Sequence, residues 1–425
     1  MRGEMNKNRP LFICAAAALL LAAAAVPGAA QTVNLSFNAS GNSASDNING
    51  SGTTTLTPGG AFALSFTGLS AHDSSCTNDI LFTFNLQSAS STADTLTLAY
   101  YVLNGPNDKV SQFSLTGTLN VTAGTGIYAG LGGSGTMTIN VSQSATTKTF
   151  SVTGTGTVTL GGPITIAPQV TPGGIVPIYS DDTDVEPGSW VSIYGSGFAS
   201  GLTQWNGDFP TSLGGVSVTV DGKSAFLWIV NSTQINLQLP DDTNLGACVP
   251  VVIKTANGTF NTQVHLVNFS PSLNLLGDNQ HLAGVILTPN GSGAYGGGTY
   301  DLLGPVGAFS FKTRPAKKGE TVELFGVGFG PTLAPVPAGQ VYTSSSKTQQ
   351  PVNVFVINND PNNTQAVGFP VSFAGLVGAG LYQINITIPP NAPSGDLNVG
   401  AAVGTQGTNP LAGTSTDVSY LLTVQ

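Results

Sequence analysis

The sequence is short of charge. Lys, Arg, Asp and Glu make up 8% of its 425 residues, against ~25% in an ordinary soluble chain. Twelve Lys and Arg stand against 21 Asp and Glu, so the chain as a whole lacks the basic footprint that nucleic acid or an anionic lipid surface demands. Histidine is equally scarce. His72, His265 and His281 are the full set, and none has a second histidine at i+2 to i+4, so no local metal site is expected. A G-x-S-x-G nucleophile elbow is missing as well. The glycine-rich stretch Gly291–Tyr300 lacks the Lys-Ser/Thr of a phosphate loop and opens no helix. No motif marks a pair of carboxylates for glycoside hydrolysis. These absences lead to an expectation of no catalytic, cofactor or metal residues, leaning away from an enzyme.

Long apolar runs are also lacking, with one exception at the start. Arg2, Lys7 and Arg9 precede an apolar stretch from Leu11 to Val26, and Pro27-Gly28-Ala29-Ala30 follows it. This order of basic, apolar and small residues predicts a secretory signal peptide over residues 1–30, cleaved before Gln31. Cys14 lies too deep in the apolar stretch for lipid attachment. Removing Arg2, Lys7, Arg9 and Glu4 moves the net charge from −9 to −11. No later run is long enough for a membrane helix, so the mature chain is expected to be secreted, extracellular or at the cell surface, with the periplasm as an alternative. Cys76 and Cys248 survive cleavage. Two separate, partly buried thiols are expected, although a secreted setting also permits a cross-domain bridge.

What the sequence holds in abundance is glycine, at 55 residues, within a 40% hydrophobic composition. Over residues 31–162 apolar residues alternate with Thr, Ser and Asn, as in Ala61–Phe66, Ile80–Phe84, Thr95–Tyr100 and Thr157–Leu160. That period of two predicts strands, and turn clusters such as Pro58-Gly59-Gly60 separate them. The region reads as a β-sandwich or an up-and-down β-barrel. Residues 163–186, with prolines at 163, 168, 172 and 177, read as an extended linker. It ends in Asp181-Asp182-Thr183-Asp184-Val185-Glu186. Four carboxylates in six residues invite a calcium reading, but they lack the spacing of a calcium loop. The run is read as solvated.

An internal repeat then sets the architecture. Pro187–Phe198 returns as Lys318–Phe329, and Gln234–Pro240 returns as Gln383–Pro389. The offsets are 131 and 149 residues, so the second copy carries 18 extra residues between its anchors. Val191 and Ile193 alternate on a strand, Gly195-Ser196-Gly197 turns it, and Asp221-Gly222 and Asn257-Gly258 predict hairpins. Each copy has the strand count and size of an immunoglobulin-like sandwich. The expected organisation is domain 1 at 187–270, a Gly-rich connector at 271–314 and domain 2 at 315–425.

At Pro187–Phe198, Trp205–Gly215, Gln234–Pro240, Gly291–Asp301, Val322–Pro331 and Leu381–Pro390, the chain resembles tandem IPT/TIG immunoglobulin-like domains. It looks most like a C-terminal domain family of secreted proteins common in Acidobacteria, over about residues 175–425. The resemblance implies an immunoglobulin-like fold and an extracellular address, and it brings no activity or catalytic residues. A weaker likeness links Gly117–Leu119 and Ala123–Gly130 to allene oxide cyclase or dirigent-type β-barrels.

Aromatic side chains are the remaining candidates for recognition. Trp190 and Trp228 lie in strand patterns and are expected in the core. Trp205, Tyr295 and Tyr300 lie among turn residues and are the candidate ligand contacts, by stacking on sugar rings or anchoring a partner protein. The competing reading has them plugging the junction between the two domains. The chain is therefore expected to be a non-enzymatic adhesion or binding protein with a polysaccharide or surface-protein ligand. The alternatives are an enzyme with its site in the N-terminal β-domain, and a structural stalk or matrix component.

Overall fold

The structure, a computed structural model, describes residues 31–44, 47–57, 60–70, 76, 80–102, 112–144, 149–288, 299–357, 367–408 and 420–425. The expected signal peptide lies outside them. The protein is all-β and divides into two compact units, residues 1–167 and 168–425.

The first unit contains β1 (Gln31–Ala44), β2 (Asn47–Thr57), β3 (Gly60–Ser70), β4 (Ile80–Ser88), β5 (Thr95–Val102), β6 (Gln112–Gly124), β7 (Leu131–Ser144) and β8 (Thr149–Pro163). Each strand runs antiparallel to its neighbours, and β1 pairs with β8 from Gln31↔Leu160 to Asn42↔Thr149, closing a barrel. Of the two architectures expected, the barrel is the one formed. Eight strands enclose just enough space for side chains to fill, and here they fill it. Phe37, Phe62, Phe66, Phe82, Phe84 and Tyr100 are all buried in one cluster with the inward Leu, Val and Ile side chains. Glycines paired with them on neighbouring strands make room for the rings. A Cβ on Gly154 would sit 2.1 Å from the Phe37 ring, and one on Gly50 would sit 2.5 Å from Phe66. This pairing of large with small residues lets a narrow barrel hold so many aromatics.

The outward positions carry hydroxyls that meet across strands, as in Thr116–Thr138 at 2.8 Å and Thr32–Thr159 at 3.2 Å. A lipid-spanning barrel has the opposite arrangement, with an apolar band outside. Among the described residues no helix is long and apolar enough to cross a membrane.

The second unit holds two immunoglobulin-like sandwiches. The first uses β9 (Gln169–Pro177), β10 (Asp184–Val185), β11 (Trp190–Ser196), β12 (Thr203–Gln204), β13 (Ser217–Val220), β14 (Lys223–Ser224), β15 (Phe226–Val230), β16 (Gln234–Gln238), β17 (Ala247–Thr255) and β18 (Gly258–Leu266). Its sheets run β12-β15-β16-β11-β9 and β10-β18-β17-β13-β14, and Val191, Ile193, Leu227, Ile235, Leu237 and Ile253 are fully buried between them. Asp221 and Gly222 both take positive φ, 49° and 75°, in the expected two-residue hairpin.

The second sandwich uses β19 (Ser272–Leu273), β20 (Gly284–Leu287), β21 (Tyr300–Leu303), β22 (Thr313–Arg314), β23 (Thr321–Val327), β24 (Ser346–Lys347), β25 (Val352–Val356), β26 (Gly368–Phe369), β27 (Val371–Gly378), β28 (Leu381–Thr387), β29 (Gly395–Val403), β30 (Gln406–Gly407) and β31 (Tyr420–Val424). One sheet runs β22-β21-β20-β23-β28-β27-β24 with β19 also on β23. The other runs β26-β25-β29-β30 with β31 on β29.

The two repeated sequence blocks are partner strands in each copy. Ser192 pairs with Asn236 on β11–β16, and the equivalent Glu323 pairs with Asn385 on β23–β28. The polar side chains repeat as well. Gln234 Nε2 donates to Asn236 Oδ1 at 2.8 Å, and Gln383 Nε2 donates to Asn385 Oδ1 at 2.8 Å. The turn glycines answer the same need twice. A Cβ on Gly195 would lie 2.0 Å from Gln169 O, and one on Gly326 would lie 2.4 Å from Ser272 O. Each glycine thus admits a neighbouring strand that a side chain would exclude.

Three segments depart from expectation. Residues 169–177, read as linker, form edge strand β9, with Val170, Ile175 and Val176 buried. An edge strand tolerates proline, and the ladder breaks where Pro172-Gly173-Gly174 intervenes. The acidic run is not a free solvated stretch either. Asp184 Oδ1 lies 2.8 Å from His265 Nδ1, and Glu186 is buried. Residues 271–314, read as a connector, supply β19 to β22 of the second sandwich.

Candidate functional site

Chemistry-bearing side chains gather in two places in the second unit. One is the junction between the sandwiches, which begins with tryptophan. Trp190 at the start of β11 donates its Nε1–H to Ala379 O at 2.7 Å. Trp205 and Trp228 meet it edge-on, at ring-centre distances of 5.5 and 5.7 Å. Phe209 closes on Trp205 at 4.7 Å. With Ile178 and Val327 they form one apolar cluster that spans both sandwiches. Gly380 must be glycine beneath it, because φ is +61° and a Cβ would meet Trp190 and the Gln238 amide at 2.9 Å.

Beside this cluster is a cavity of about 230 Å³, lined by Glu186, Gln238, Asp241, Asp242, Gln349 and Tyr382 among others. Its polar groups are already engaged. Gln238 donates to Gly188 O and accepts from Gly339 N, Asp241 accepts from Ala338 N, and Asp242 pairs with Lys223 at 3.1 Å. Glu186 is the chemically unusual member. Burial pushes its carboxyl up to about 8, against the opposing pull of the Gly330 N–H and the Tyr382 hydroxyl. Glu186 Oε2 accepts from Gly330 N at 2.8 Å, Tyr382 Oη lies 3.3 Å from Oε1, and Tyr382 Oη contacts Gly330 O at 2.5 Å. A hydroxyl has one proton. If Tyr382 gives it to Gly330 O, the ring closes only when a neutral Glu186 donates to Tyr382. A raised pKa in a cleft is a reason to look for catalysis, but this carboxyl spends its bonding capacity holding two sandwiches together.

The second place is the segment from β21 to the turn after β22. Most large apolar side chains of the described residues are buried, yet here Tyr300 is 45%, Val306 77% and Phe311 43% exposed. Phe309 and Phe311 stack at 5.3 Å with their planes 12° apart. Phe309 also meets the His281 ring edge-on at 6.2 Å. His281 Nδ1 is 2.5 Å from Asp278 Oδ2. Burial works against ionisation of Asp278, but hydrogen bonds from the His281 side chain and backbone outweigh it and hold the carboxyl below its ordinary range.

Arg314 organises this surface. Its Nε donates to Asp301 Oδ2 at 2.7 Å, and Nη1 and Nη2 grip Glu320 at 2.8 and 3.0 Å. It thereby ties the start of β21 to the turn that follows β22. Thr313 Oγ1 pins the intervening loop by donating to Pro305 O at 2.6 Å. The exposed rings therefore stand on fixed backbone.

The aromatic residues singled out in the sequence have different fates. Trp205 is half-buried in the junction, with Trp190 and Phe209 against its ring. Tyr295 lies outside the described residues. Tyr300 is exposed at the head of β21. Sequence reasoning missed Phe311 and the basic residues that follow it, although the run Phe311-Lys312-Thr313-Arg314-Pro315-Ala316-Lys317-Lys318 is visible in the sequence. Among the described residues no group of three or more His, Cys, Asp or Glu is placed to hold a metal ion. Cys76 and Cys248 are disulfide-bonded, which corrects the expectation of free thiols.

No family model matches the chain, and no curated protein matches it. Among solved structures it is similar to a gamma-CGTase from an alkalophilic Bacillus clarkii, at 11% identity and a TM-score of 0.18. That match covers 82% of this chain and 40% of the other, and a likeness so slight carries no argument about fold or activity.

Proposed function

We propose that the protein is a non-enzymatic extracellular binding protein, in which the joined immunoglobulin-like sandwiches are a rigid carrier for a glycan-binding surface centred on Tyr300 and Phe311. The observation that carries this reading is the exposure of those rings on braced backbone, while the tryptophans of the unit are packed into the junction. Rigid, exposed aromatic faces are the anchors by which proteins hold sugar rings or partner surfaces. The filled barrel interior weighs against an enzyme site within it, since a substrate would have to displace core side chains. Disulfide-bonded cysteines and the predicted leader both support an oxidising, extracellular address.

The test is retention on immobilised polysaccharides, comparing the wild type with the Tyr300→Ala/Phe311→Ala double variant and with Trp205→Ala. The double variant should lose about tenfold or more in affinity, as expected for two anchor rings worth ~1–2 kcal/mol together. Trp205→Ala should change retention little. A wild type that binds no polysaccharide refutes the reading.

A further inference from the structure

The mature chain has nine Lys and Arg, and four of them lie between residues 312 and 318. On a protein of strongly negative net charge this concentration is local and specific. Arg314 is committed internally to Asp301 and Glu320. Lys312, Lys317 and Lys318 are exposed, and no hydrogen bond or ion pair of their side chains occurs among the described residues. The parallel pairing of β21 with β22 sets Leu302 level with Thr313. Tyr300 and Phe311 each stand two residues before that pair, and Lys312 stands one before it. The Arg314–Glu320 clamp, with Lys317 N donating to Glu320 Oε2 at 2.7 Å, fixes the turn that bears Lys317 and Lys318 to the same edge. Lys317 also attracts the Glu320 carboxylate, and the exposed rings and exposed lysines lie along one braced sheet edge.

We infer that this surface recognises an acidic polysaccharide, with Tyr300 and Phe311 against the sugar rings and Lys312, Lys317 and Lys318 against its carboxylates. The inference rests on the glycan-binding reading above and narrows it to one ligand class. Lysine ammoniums act as point charges toward carboxylates, and aromatic faces accept the apolar side of a pyranose. An anionic bilayer offers the same charge, but it is an extended plane that would also face the acidic remainder of the molecule. A single polysaccharide chain meets only the local patch.

The experiment measures binding of the full mature chain to polygalacturonate, to neutral xyloglucan and to phosphatidylcholine vesicles containing phosphatidylglycerol. The Lys312→Ala/Lys317→Ala/Lys318→Ala variant is compared with Lys254→Ala/Lys347→Ala, which removes exposed lysines elsewhere. Polygalacturonate should bind in low salt and weaken as salt rises, and the triple variant should lose at least tenfold while the double variant stays near wild type. Binding to xyloglucan alone overturns the acidic class and leaves the glycan reading standing. Binding to no glycan overturns both. Vesicle binding that the triple variant abolishes, without polygalacturonate binding, assigns the patch to lipid and overturns the inference. Equal losses in the two lysine variants also overturn it, because the effect would then be one of net charge.

Discussion

Replacing Glu186 with Gln should make the protein more stable at pH 8 than at pH 5, relative to wild type. Glu186 has an ordinary value of 4.5 when the chain is unfolded and about 8 when buried in the fold. Because the folded value is the higher one, its contribution is fully present below pH 4.5 and is lost as pH rises toward 8. Between those limits the unfolded chain gains from ionising and the folded chain does not. The loss is ~1.4 kcal/mol per pH unit, or roughly 5 kcal/mol across the window. Gln imitates the neutral acid, since its carbonyl accepts from Gly330 N–H and its amide donates to Tyr382 Oη. It has no proton to lose, so this slope disappears. Asp241, Asp242 and Lys223 near the cavity are common to both proteins and drop out of the comparison. The assay is denaturant unfolding at pH 5, 6, 7 and 8, followed by tryptophan fluorescence. All three tryptophans of the chain, Trp190, Trp205 and Trp228, sit in the junction cluster, so the signal reports the second unit. Stabilities of wild type and Glu186→Gln that run parallel across this range refute the neutral-acid ring.

Gly154→Ala should destabilise the barrel by ~1–3 kcal/mol, because its Cβ would enter the Phe37 ring and overpacking costs that much; a melting profile followed by circular dichroism checks it, and an unchanged midpoint contradicts a filled interior. Trp190→Phe keeps an aromatic ring in the cluster but loses the bond to Ala379 O, and should cost about 1–2 kcal/mol in the fluorescence-detected transition. Chain lacking residues 1–30, denatured without reductant, should show no reactive thiol, because Cys76 and Cys248 are disulfide-bonded; a titration that finds two thiols contradicts this.

The repeat was legible because its determinants are local. Val191 and Ile193 alternate, and Gly195 and Gly326 sit where a side chain would block a neighbouring strand, so both copies spell the same solution. Barrel closure depends on β1 meeting β8 more than a hundred residues later, and alternation alone reads the same in a sandwich. The linker reading failed at Pro172-Gly173-Gly174, which look like breakers but interrupt an edge ladder whose flanks remain paired. Glu186 looked solvated within an acidic run. Its burial is decided by Gly330 and Tyr382, 144 and 196 residues away. At the candidate site Tyr300 was legible as an aromatic beside glycines. The lysines after Phe311 were obscured by an overall acidic balance that averages away a seven-residue patch.

The most direct measurement is the mobility of the chain from Gln31 onward in native gels cast with and without polygalacturonate. The polysaccharide should retard the wild type, and this retardation should be lost in the Tyr300→Ala/Phe311→Ala variant while the unfolding transition stays in place. Unretarded wild type, or equal retardation of both proteins, contradicts recognition of an acidic polysaccharide by this surface.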